Sequence, residues 1–250
     1  MKLISAVEVR DIAQILESYV AEGPPRMAQV IHSVLIDLFK EAQHFCEVPS
    51  GYNPAITTKQ PSRRIIQQRL NPDEWQKIFV IAYARHHYMS NAMLLVLVTG
   101  QRLGDISNMK FSDIWHDRRH VVQEKTGSKL AIPLSLKLNA IDWSLRDVVA
   151  RCHDYAVSPY LIHFFRANSM AERGAQVKSN TITMNFSKAR DKAEINWGDG
   201  TPATFHEQRS LAERLYEAQG IDTQKLLGHK SPNQTARYHD DRGKDWVKIL

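Results

Sequence analysis

Residues 49–69 divide this chain of 250 residues into a short first part and a long second part. This stretch contains three prolines and no acidic residue. It carries four bases within eleven positions, namely Lys59, Arg63, Arg64 and Arg69. Prolines of this density interrupt regular structure, and either a basic linker between domains or a solvated loop would explain the composition. We predict a first domain at residues 1–52, a linker at 53–70 and a second domain at 71–250.

The first part is predicted to form two amphipathic helices. Ser5 and Glu8 have the spacing of a capping box, and apolar residues at helical spacing follow until the Gly-Pro-Pro of residues 23–25 interrupts the helix. The second helix has an apolar stripe at steps of three and four, made of Met27, Val30, Ile31, Val34, Leu35, Leu38, Phe39 and Ala42. Two helices cannot bury both stripes well, so we expect an exposed apolar patch here, or a patch that docks against the second part.

The second part is predicted to be mainly helical. Asn71, with Glu74 three residues on, marks a helix start. Two short apolar runs on either side of Gly127 predict a hairpin at residues 121–133. Further elements are a strand at residues 160–165 and helices at 134–152, 180–194, 204–219 and, opened by Ser231, a short one ending near residue 238. The predicted fold class is therefore mainly α with a small β-sheet, an α+β arrangement.

Composition excludes some classes of protein. The chain has 43% hydrophobic and 24% charged residues, as globular proteins do, and its net charge of +6 is a weak pointer to a polyanionic partner. The two cysteines, Cys46 and Cys152, form no CxxC motif, so we expect a reducing compartment and no disulfide framework. No signal peptide and no membrane span are expected, because the most apolar stretch, residues 92–98, is too short.

Five short stretches of the second part carry side chains that can hold and attack a phosphodiester. They are TGQRLGD, EKTGSK, TFHEQRSL, LLGHK and ARYHDD, and they contain Arg102, Lys125, His206, Arg209, His229 and Tyr238. Arginine suits this task because its planar guanidinium can hold two phosphate oxygens at once. Fixed cations stabilise the charge that builds on those oxygens in the transition state. Each residue alone is more commonly a surface or packing residue, and only the ordered set indicates phosphate chemistry.

This set resembles the tyrosine recombinases, and most closely the lambdoid phage integrases. That family uses an Arg, a Lys, a His-x-x-Arg pair, a second His and a Tyr nucleophile in this order. The resemblance covers roughly the whole chain and is strongest from Asn71 onward. It implies a tyrosine recombinase catalytic domain preceded by a partial helical core-binding domain. The implied activity is site-specific cleavage and rejoining of DNA strands through a covalent 3′-phosphotyrosine, for integration and excision of prophage DNA.

Tyr238 is the implied nucleophile, nine residues after His229. A tyrosine hydroxyl has a pKa of about 10, so it must lose its proton to a base, and we assign His206 as that base. His229 is expected to donate a hydrogen bond to a non-bridging phosphate oxygen. Tyr216 is the rival nucleophile, but it lies nearly three helical turns beyond His206.

The arginines and a lysine would act on the phosphate and on the leaving group. Arg209 shares a helix face with His206 at a spacing of three, and Arg102 is expected to project from the start of a helix. Lys125, at the hairpin turn, would protonate the departing 5′ oxygen, as the family pattern implies. Lys129 is the competing candidate for that role.

The implied partner is double-stranded DNA at attachment core sites, bound by a homotetramer, with a host DNA-bending protein and an excisionase as further partners. The linker bases Lys59, Arg63, Arg64 and Arg69 would lie along DNA phosphates.

No cofactor and no metal are expected. A metal-dependent hydrolase is the alternative class, since the chain has 11 histidines, but none has a second ligand at a spacing such as HExxH. The expected location is the cytoplasm of a bacterial host, on the DNA.

The sequence departs from the family pattern at its start. Lambdoid integrases carry an N-terminal module for arm-type DNA sites, for which this chain has no room, and its first helix corresponds to a point partway into the core-binding domain. We therefore expect an N-terminally truncated form whose DNA binding is weak and strongly salt-dependent. A defective, DNA-binding prophage remnant without recombination activity is the alternative to an active recombinase.

Overall fold

The computed structural model describes residues 2–22, 25–61, 67–169, 171–229, 231 and 235. The chain divides into two compact units, Met1–Ile65 and Ile66–Leu250. Each unit has its own cluster of buried apolar side chains. Of the candidate residues that the structure describes, only Lys59 belongs to the first unit.

In its described residues the first unit has three α-helices, α1 (Val9–Glu22), α2 (Pro25–His44) and α3 (Pro54–Thr57). They meet in a small core made of Ile12, Leu16, Phe39 and Ala55. Because Ala55 belongs to α3, the chain segment just inside the predicted linker packs with this unit.

The capping box predicted at Ser5 and Glu8 is wrong. A 3-10 turn forms at Ile4–Ala6, and α1 begins beyond it. The main-chain N–H of Glu8 donates to the carboxylate of Asp11 at 2.9 Å, so Asp11 closes the first turn. The same carboxylate accepts a hydrogen bond from Lys2 at 2.6 Å, and this contact lowers the pKa of Asp11.

The exposed apolar patch predicted for the first part is present on α2. The side chains of Met27, Val30, Val34 and Leu38 recur every three or four residues and are between 44% and 59% exposed. Phe39, on the opposite side of the helix, lies in the core. The core of this unit therefore takes up only part of the apolar surface of α2.

The second unit consists mainly of helices. They are α4 (Pro72–Arg85), α5 (His87–Thr99), α6 (Leu103–Ser107), α7 (Leu145–Cys152), α8 (Ser179–Lys192), α9 (Glu207–Ala218) and α10 (Thr223–Leu227). Within the described part of this unit, two small antiparallel sheets accompany them, with the strands β1 (Ile114–Trp115), β2 (Arg118–Val122), β3 (Lys129–Pro133), β4 (Lys137–Leu138) and β5 (Trp143–Ser144). The predicted α+β class is confirmed.

The apolar helix α5 is the centre of this unit. Its residues from Tyr88 to Thr99 are all buried, because α4, α7, α8 and α9 pack around it. Gly100 ends the helix with a left-handed φ of +64°, and a Cβ there would lie 2.6 Å from the side chain of Leu227. This close approach holds the end of α5 against α10.

Among the helices of the described ranges, none is long and apolar enough to cross a membrane.

The hairpin predicted at residues 121–133 is confirmed. β2 and β3 pair in antiparallel register, with Val122 opposite Lys129 beside the turn. Two main-chain hydrogen bonds close the turn: Gln123 donates to Ser128 at 2.9 Å and accepts from Gly127 at 2.8 Å. The hairpin therefore presents residues 124–126 at its tip.

Two predicted elements are wrong. Residues 134–152 are not one helix, because β4, a 3-10 turn at Asn139–Ile141 and β5 precede α7. The leucines at 134, 136 and 138 recur every second residue, which is the period of a strand. At residues 160–165 only isolated bridges form, at Tyr160 and His163. The short helix expected up to residue 238 lies almost entirely outside the described residues.

Candidate active site

Arg209 is at the centre of the candidate site. It lies in the first turn of α9, and its side chain is completely buried. Its Nη1 donates to the carbonyl oxygen of Gly100 at 2.6 Å, and its Nη2 donates to that of Leu227 at 2.8 Å. These bonds tie α9 to the end of α5 and to α10. Because the guanidinium is shielded from water, a phosphate oxygen can reach it only after a covering group moves.

His229 lies directly against Arg209. It follows Gly228, which ends α10 with a left-handed φ of +66°. Its Nε2 is 3.1 Å from Arg209 Nη2, and because arginine only donates, Nε2 accepts. The proton of the neutral ring is then on Nδ1, which lies 2.9 Å from the hydroxyl oxygen of Thr235. Both ring nitrogens are engaged, so the predicted hydrogen bond to a phosphate requires one of these contacts to open.

The ring of His229 is neutral at pH 7. Burial, and then the charges of Arg209 and Arg102, lower its pKa to about 4. A neutral ring is also what the hydrogen bond from Arg209 requires, since a protonated imidazole has no lone pair to offer.

Arg102 is joined to the same group through Gln123. It directly precedes α6 and is half-buried. Its Nη1 donates to Gln123 Oε1 at 3.1 Å. Gln123 Nε2 donates to the carbonyl oxygen of Leu227 at 2.9 Å, and that oxygen also accepts from Arg209. The structure therefore brings the two arginines together through one glutamine and one carbonyl.

His206 stands at the N-terminal end of α9, directly before its first helical residue. It lies one turn ahead of Arg209, with part of its surface exposed and the rest covered by neighbouring groups. The loss of surrounding water lowers the pKa of His206, and the charges of Arg209 and Arg102 lower it further. A histidine with a lowered pKa is neutral at pH 7 and can accept a proton, as the role assigned to it requires.

Lys125 is exposed at the tip of the β2–β3 hairpin. The hairpin is tied to α6, because the Asp105 carboxylate accepts a hydrogen bond from the main-chain N–H of Glu124 at 3.0 Å. The competing candidate, Lys129, is exposed at the first position of β3. Both lysines therefore lie at the surface, whereas the guanidinium of Arg209 is buried.

Arg69, which was predicted to contact DNA from the basic linker, is buried in the structure. Its side chain is only 5% exposed, and its Nη1 lies 2.8 Å from the equally buried carboxylate of Glu207. A buried charge needs a partner of opposite sign, and Glu207 supplies it. Since Glu207 follows His206 directly, this ion pair fixes the start of α9.

Three predicted residues, Arg63, Arg64 and Tyr238, lie outside the described residues. Lys59 is described and exposed. The rival nucleophile, Tyr216, is completely buried, and its hydroxyl donates to the carbonyl oxygen of Val98 at 2.7 Å. Burial raises the pKa of Tyr216, so this tyrosine packs in the core and does not offer an accessible phenolate.

Sequence reasoning missed Gln123. Along β2 the side chains of Arg119 and Val121 are buried, and the same alternation continues to Gln123, which is completely buried. A polar residue at an inward-facing position directly before the EKTGSK stretch was the available signal, because a buried amide must find partners.

The described residues contain no group of three or more His, Cys, Asp or Glu side chains arranged to hold a metal ion. Two of the histidines that suggested a metal have other neighbours: His120 stacks on Trp115, and His87 lies 3.7 Å from the carboxylate of Asp154. The metal-dependent alternative therefore has no cluster of ligands in the described part of the chain.

The fold and the family comparison together define the class of this protein as a tyrosine recombinase of the lambdoid type. The sequence profile of the phage integrase family matches residues 68–244, which is most of the second unit. The chain belongs to the phage integrase family.

Among its relatives is the prophage integrase IntE of Escherichia coli strain K12, which is 76% identical over 249 residues, covering 100% of this chain and 66% of the relative. The chain thus spans about two thirds of the length of such curated relatives. It is also similar to a crystal structure of a lambda integrase dimer bound to a COC′ core site, with a TM-score of 0.90 and 35% identity, covering 100% of this chain and 85% of that chain. A lambda integrase tetramer bound to a Holliday junction matches with a TM-score of 0.88 and 35% identity, covering 98% and 68%.

Proposed function

We propose that this chain carries the strand-cleaving part of a site-specific DNA recombinase that integrates and excises prophage DNA. The observation that carries the proposal is the grouping of Arg102, Arg209 and His229, joined by hydrogen bonds although they are far apart in sequence. Two fixed guanidinium groups beside a neutral histidine suit an oxyanion with growing negative charge.

In the proposed cleavage step, the oxygen of Tyr238 attacks phosphorus and the bond from phosphorus to the 5′ oxygen breaks. The phenol gives its proton to His206, whose lowered pKa keeps it neutral and able to accept. The departing 5′ oxygen takes a proton from Lys125, and this assignment rests on the family pattern. Arg102 and Arg209 hold the non-bridging oxygens.

The product is a 3′-phosphotyrosine and a free 5′ hydroxyl. The phosphodiester energy is kept in the new bond, so the 5′ hydroxyl of a second strand can attack phosphorus and release the tyrosine. The same groups then act in reverse, and the step needs no added energy source.

The proposed partner is double-stranded DNA, bound by several copies of the protein. Support comes from the lambda integrase structures, one a dimer on a COC′ core site and the other a tetramer on a Holliday junction. We assign the first unit to the partial core-binding domain, with Lys59, Arg63 and Arg64 as contacts to phosphates. Further proposed partners are a host DNA-bending protein and an excisionase, and the proposed location is the bacterial cytoplasm.

The proposal is tested by trapping the covalent intermediate. The full chain is incubated with a pool of nicked duplexes whose core is randomised, each nick lying just 3′ of the randomised region so that the short 5′-hydroxyl fragment diffuses away. We expect a protein–DNA adduct on a denaturing gel, formed equally well in EDTA, and enriched core sequences in the captured strands. Absence of any adduct, while the same pool is bound without covalent attachment, would favour the defective DNA-binding remnant. An adduct that depends on added divalent metal would contradict the mechanism.

A further inference from the structure

Gln123 uses all four hydrogen-bonding positions of its side-chain amide. Its Oε1 accepts from Arg102 Nη1 at 3.1 Å and from the Thr126 hydroxyl at 2.7 Å. Its Nε2 donates to Gln101 Oε1 at 2.7 Å and to the carbonyl oxygen of Leu227 at 2.9 Å. A fully satisfied, completely buried amide is held in one orientation.

The partners themselves fix which end of the amide faces which group. Arg102 can only donate, so it must meet the oxygen, and the carbonyl of Leu227 can only accept, so it must meet the nitrogen. If the amide were rotated by half a turn, its nitrogen would face the Arg102 N–H group and its oxygen would face the Leu227 carbonyl oxygen. Neither hydrogen bond could then form.

The surrounding backbone is shaped to admit this amide. A Cβ on Gly228 would lie 2.9 Å from Gln123 Oε1 and 3.0 Å from its Nε2. Gly228 also adopts a left-handed φ of +66°, which side chains rarely tolerate. The glycine before His229 thus lets the backbone approach Gln123 closely.

Through these contacts Gln123 connects the pieces on which the proposed chemistry depends. It holds Arg102 directly, it shares the Leu227 carbonyl with Arg209, and its own main chain closes the turn that carries Lys125. Among the described residues no carboxylate pairs with Arg102. Its held partner is a neutral amide, which leaves the full charge of the guanidinium for a phosphate.

We propose that Gln123 is a positioning residue of the strand-cleavage reaction: it fixes the Arg102 guanidinium relative to the Arg209–His229 pair without neutralising its charge. This inference rests on the function proposed above. A glutamate at this position would pair with Arg102 and compete with the phosphate, and its second oxygen would face the Leu227 carbonyl. A methionine would keep the length and most of the volume but release Arg102.

The test compares Gln123→Met and Gln123→Glu with the parent in single-turnover adduct formation, on the duplex selected from the randomised pool. We expect both variants to slow the reaction, by about tenfold to a hundredfold, as misplacement of a catalytic group does. The matched control is Gln219→Met. Gln219 also bonds a distant segment through its amide, at the main chain of Lys137 and Asn139, but it does so at the far end of α9.

A second substrate separates positioning from general damage to the fold. It carries a methylphosphonate at the selected cleavage position, so one non-bridging oxygen and its charge are absent and less cationic stabilisation is needed. We expect the loss for Gln123→Met to shrink to less than about threefold on the better methylphosphonate diastereomer. A merely structural defect would slow both substrates by the same factor.

Each possible result of these experiments either supports or overturns the positioning role of Gln123. Equal rates for Gln123→Met and the parent, or equal losses on the two substrates, would overturn the positioning role. If Gln123→Met does not fold, as judged by its thermal unfolding, Gln123→Glu carries the same comparison. If the parent itself forms no adduct, the proposed function fails and this inference fails with it. If the parent forms the adduct and the Gln123 variants form it at the same rate, only the inference is overturned.

Discussion

Arg209 is held by the carbonyl oxygens of Gly100 and Leu227 and by the neutral ring of His229. Such acceptors satisfy the N–H groups of a buried guanidinium without cancelling its charge. The two carbonyls are bound by the two separate terminal nitrogens of the planar guanidinium, whereas a lysine offers a single nitrogen. The residue therefore supports the fold and the proposed chemistry at once.

We predict that Arg209→Lys lowers the free energy of unfolding by about 2–4 kcal/mol, because charge-assisted hydrogen bonds to carbonyls are lost. Adduct formation should fall by at least about a hundredfold. The matched control is Arg214→Lys, on the same helix, where the guanidinium donates to the carbonyl oxygen of Leu70 at 2.6 Å. That variant should lose stability but keep cleavage, measured by thermal unfolding and single-turnover kinetics. Equal activity of Arg209→Lys and the parent would contradict the account.

The pH dependence of stability should follow His229. Its pKa is about 4 in the folded protein and 6.5 without burial, so between these values the unfolded chain binds a proton that the folded chain refuses. Stability from this residue is therefore complete above pH 6.5 and declines as the pH falls towards 4, by at most about 1.4 kcal/mol per pH unit. Urea unfolding of the parent and of His229→Gln across this range should show a shallower decline for the variant. Parallel curves would rule out His229 as the cause.

At the scale of elements, the hairpin of β2 and β3 connects a buried end with an exposed tip. Gln123 anchors it inside the unit, and the Asp105 carboxylate holds the main chain of Glu124. Lys125 follows these anchors at the surface, so its backbone is fixed while its long side chain is solvated. This arrangement suits a group that meets DNA only when a strand is bound.

We predict that Lys125→Ala slows cleavage strongly and that Lys129→Ala, the matched control on the same hairpin, does so weakly. If Lys125 protonates the leaving oxygen, a substrate with sulfur in place of the 5′ oxygen should be cleaved equally by parent and Lys125→Ala, because a thiolate leaves without a proton. The measurement is the rate of adduct formation on both substrates. If the sulfur substrate restored the rate of Lys129→Ala but not the rate of Lys125→Ala, Lys129 would be the proton donor instead.

Local signals explain which elements the sequence predicted. Asn71 caps α4 through a reciprocal capping box with Glu74, and the apolar runs around Gly127 form the hairpin. Each of these signals lies within a few residues of the structure it determines. Residues 134–152 were predicted as one helix, but their apolar residues first recur every second residue and only later at helical spacing. Only the last part of the stretch, α7, is an α-helix.

Contacts between distant positions explain what the sequence could not predict. Arg69 and Glu207 are 138 positions apart, and Gln123 and Leu227 are 104 apart. Nothing in the neighbourhood of Arg69 indicates that its charge is buried, so it was grouped with the exposed bases of the linker. The candidate residues were found because they stand in a recognisable order, whereas their hydrogen-bond partners carry no such pattern.

In the whole molecule, the two units have different roles in the proposed function. The second unit contains the group of Arg102, Arg209 and His229, and the first contributes Lys59 and an exposed apolar face on α2. Exposed bases bind phosphates by releasing counterions, so they determine how binding changes with salt. Buried charges such as Arg69 influence binding only through stability.

We predict different effects for Lys59→Ala and Arg69→Gln. The first should reduce the slope of log affinity against log salt by about one and leave stability unchanged. The second breaks the buried ion pair with Glu207 and should cost about 3–5 kcal/mol of stability, with an unchanged slope at temperatures where the variant is folded. DNA binding over a salt series and thermal unfolding check both. A reduced slope for a fully stable Arg69→Gln would restore Arg69 as a DNA contact.

The replacement Tyr238→Phe tests most directly whether Tyr238 is the nucleophile of strand cleavage. This change removes one oxygen and keeps the ring, so noncovalent binding of the selected nicked duplex should stay within about twofold of the parent. The parent should form a covalent adduct on that duplex, and protease digestion should leave a peptide containing Tyr238 attached to the 3′ phosphate. Tyr238→Phe should form no such adduct at any time point. A covalent adduct that persists in Tyr238→Phe would contradict the assignment of Tyr238 as the nucleophile.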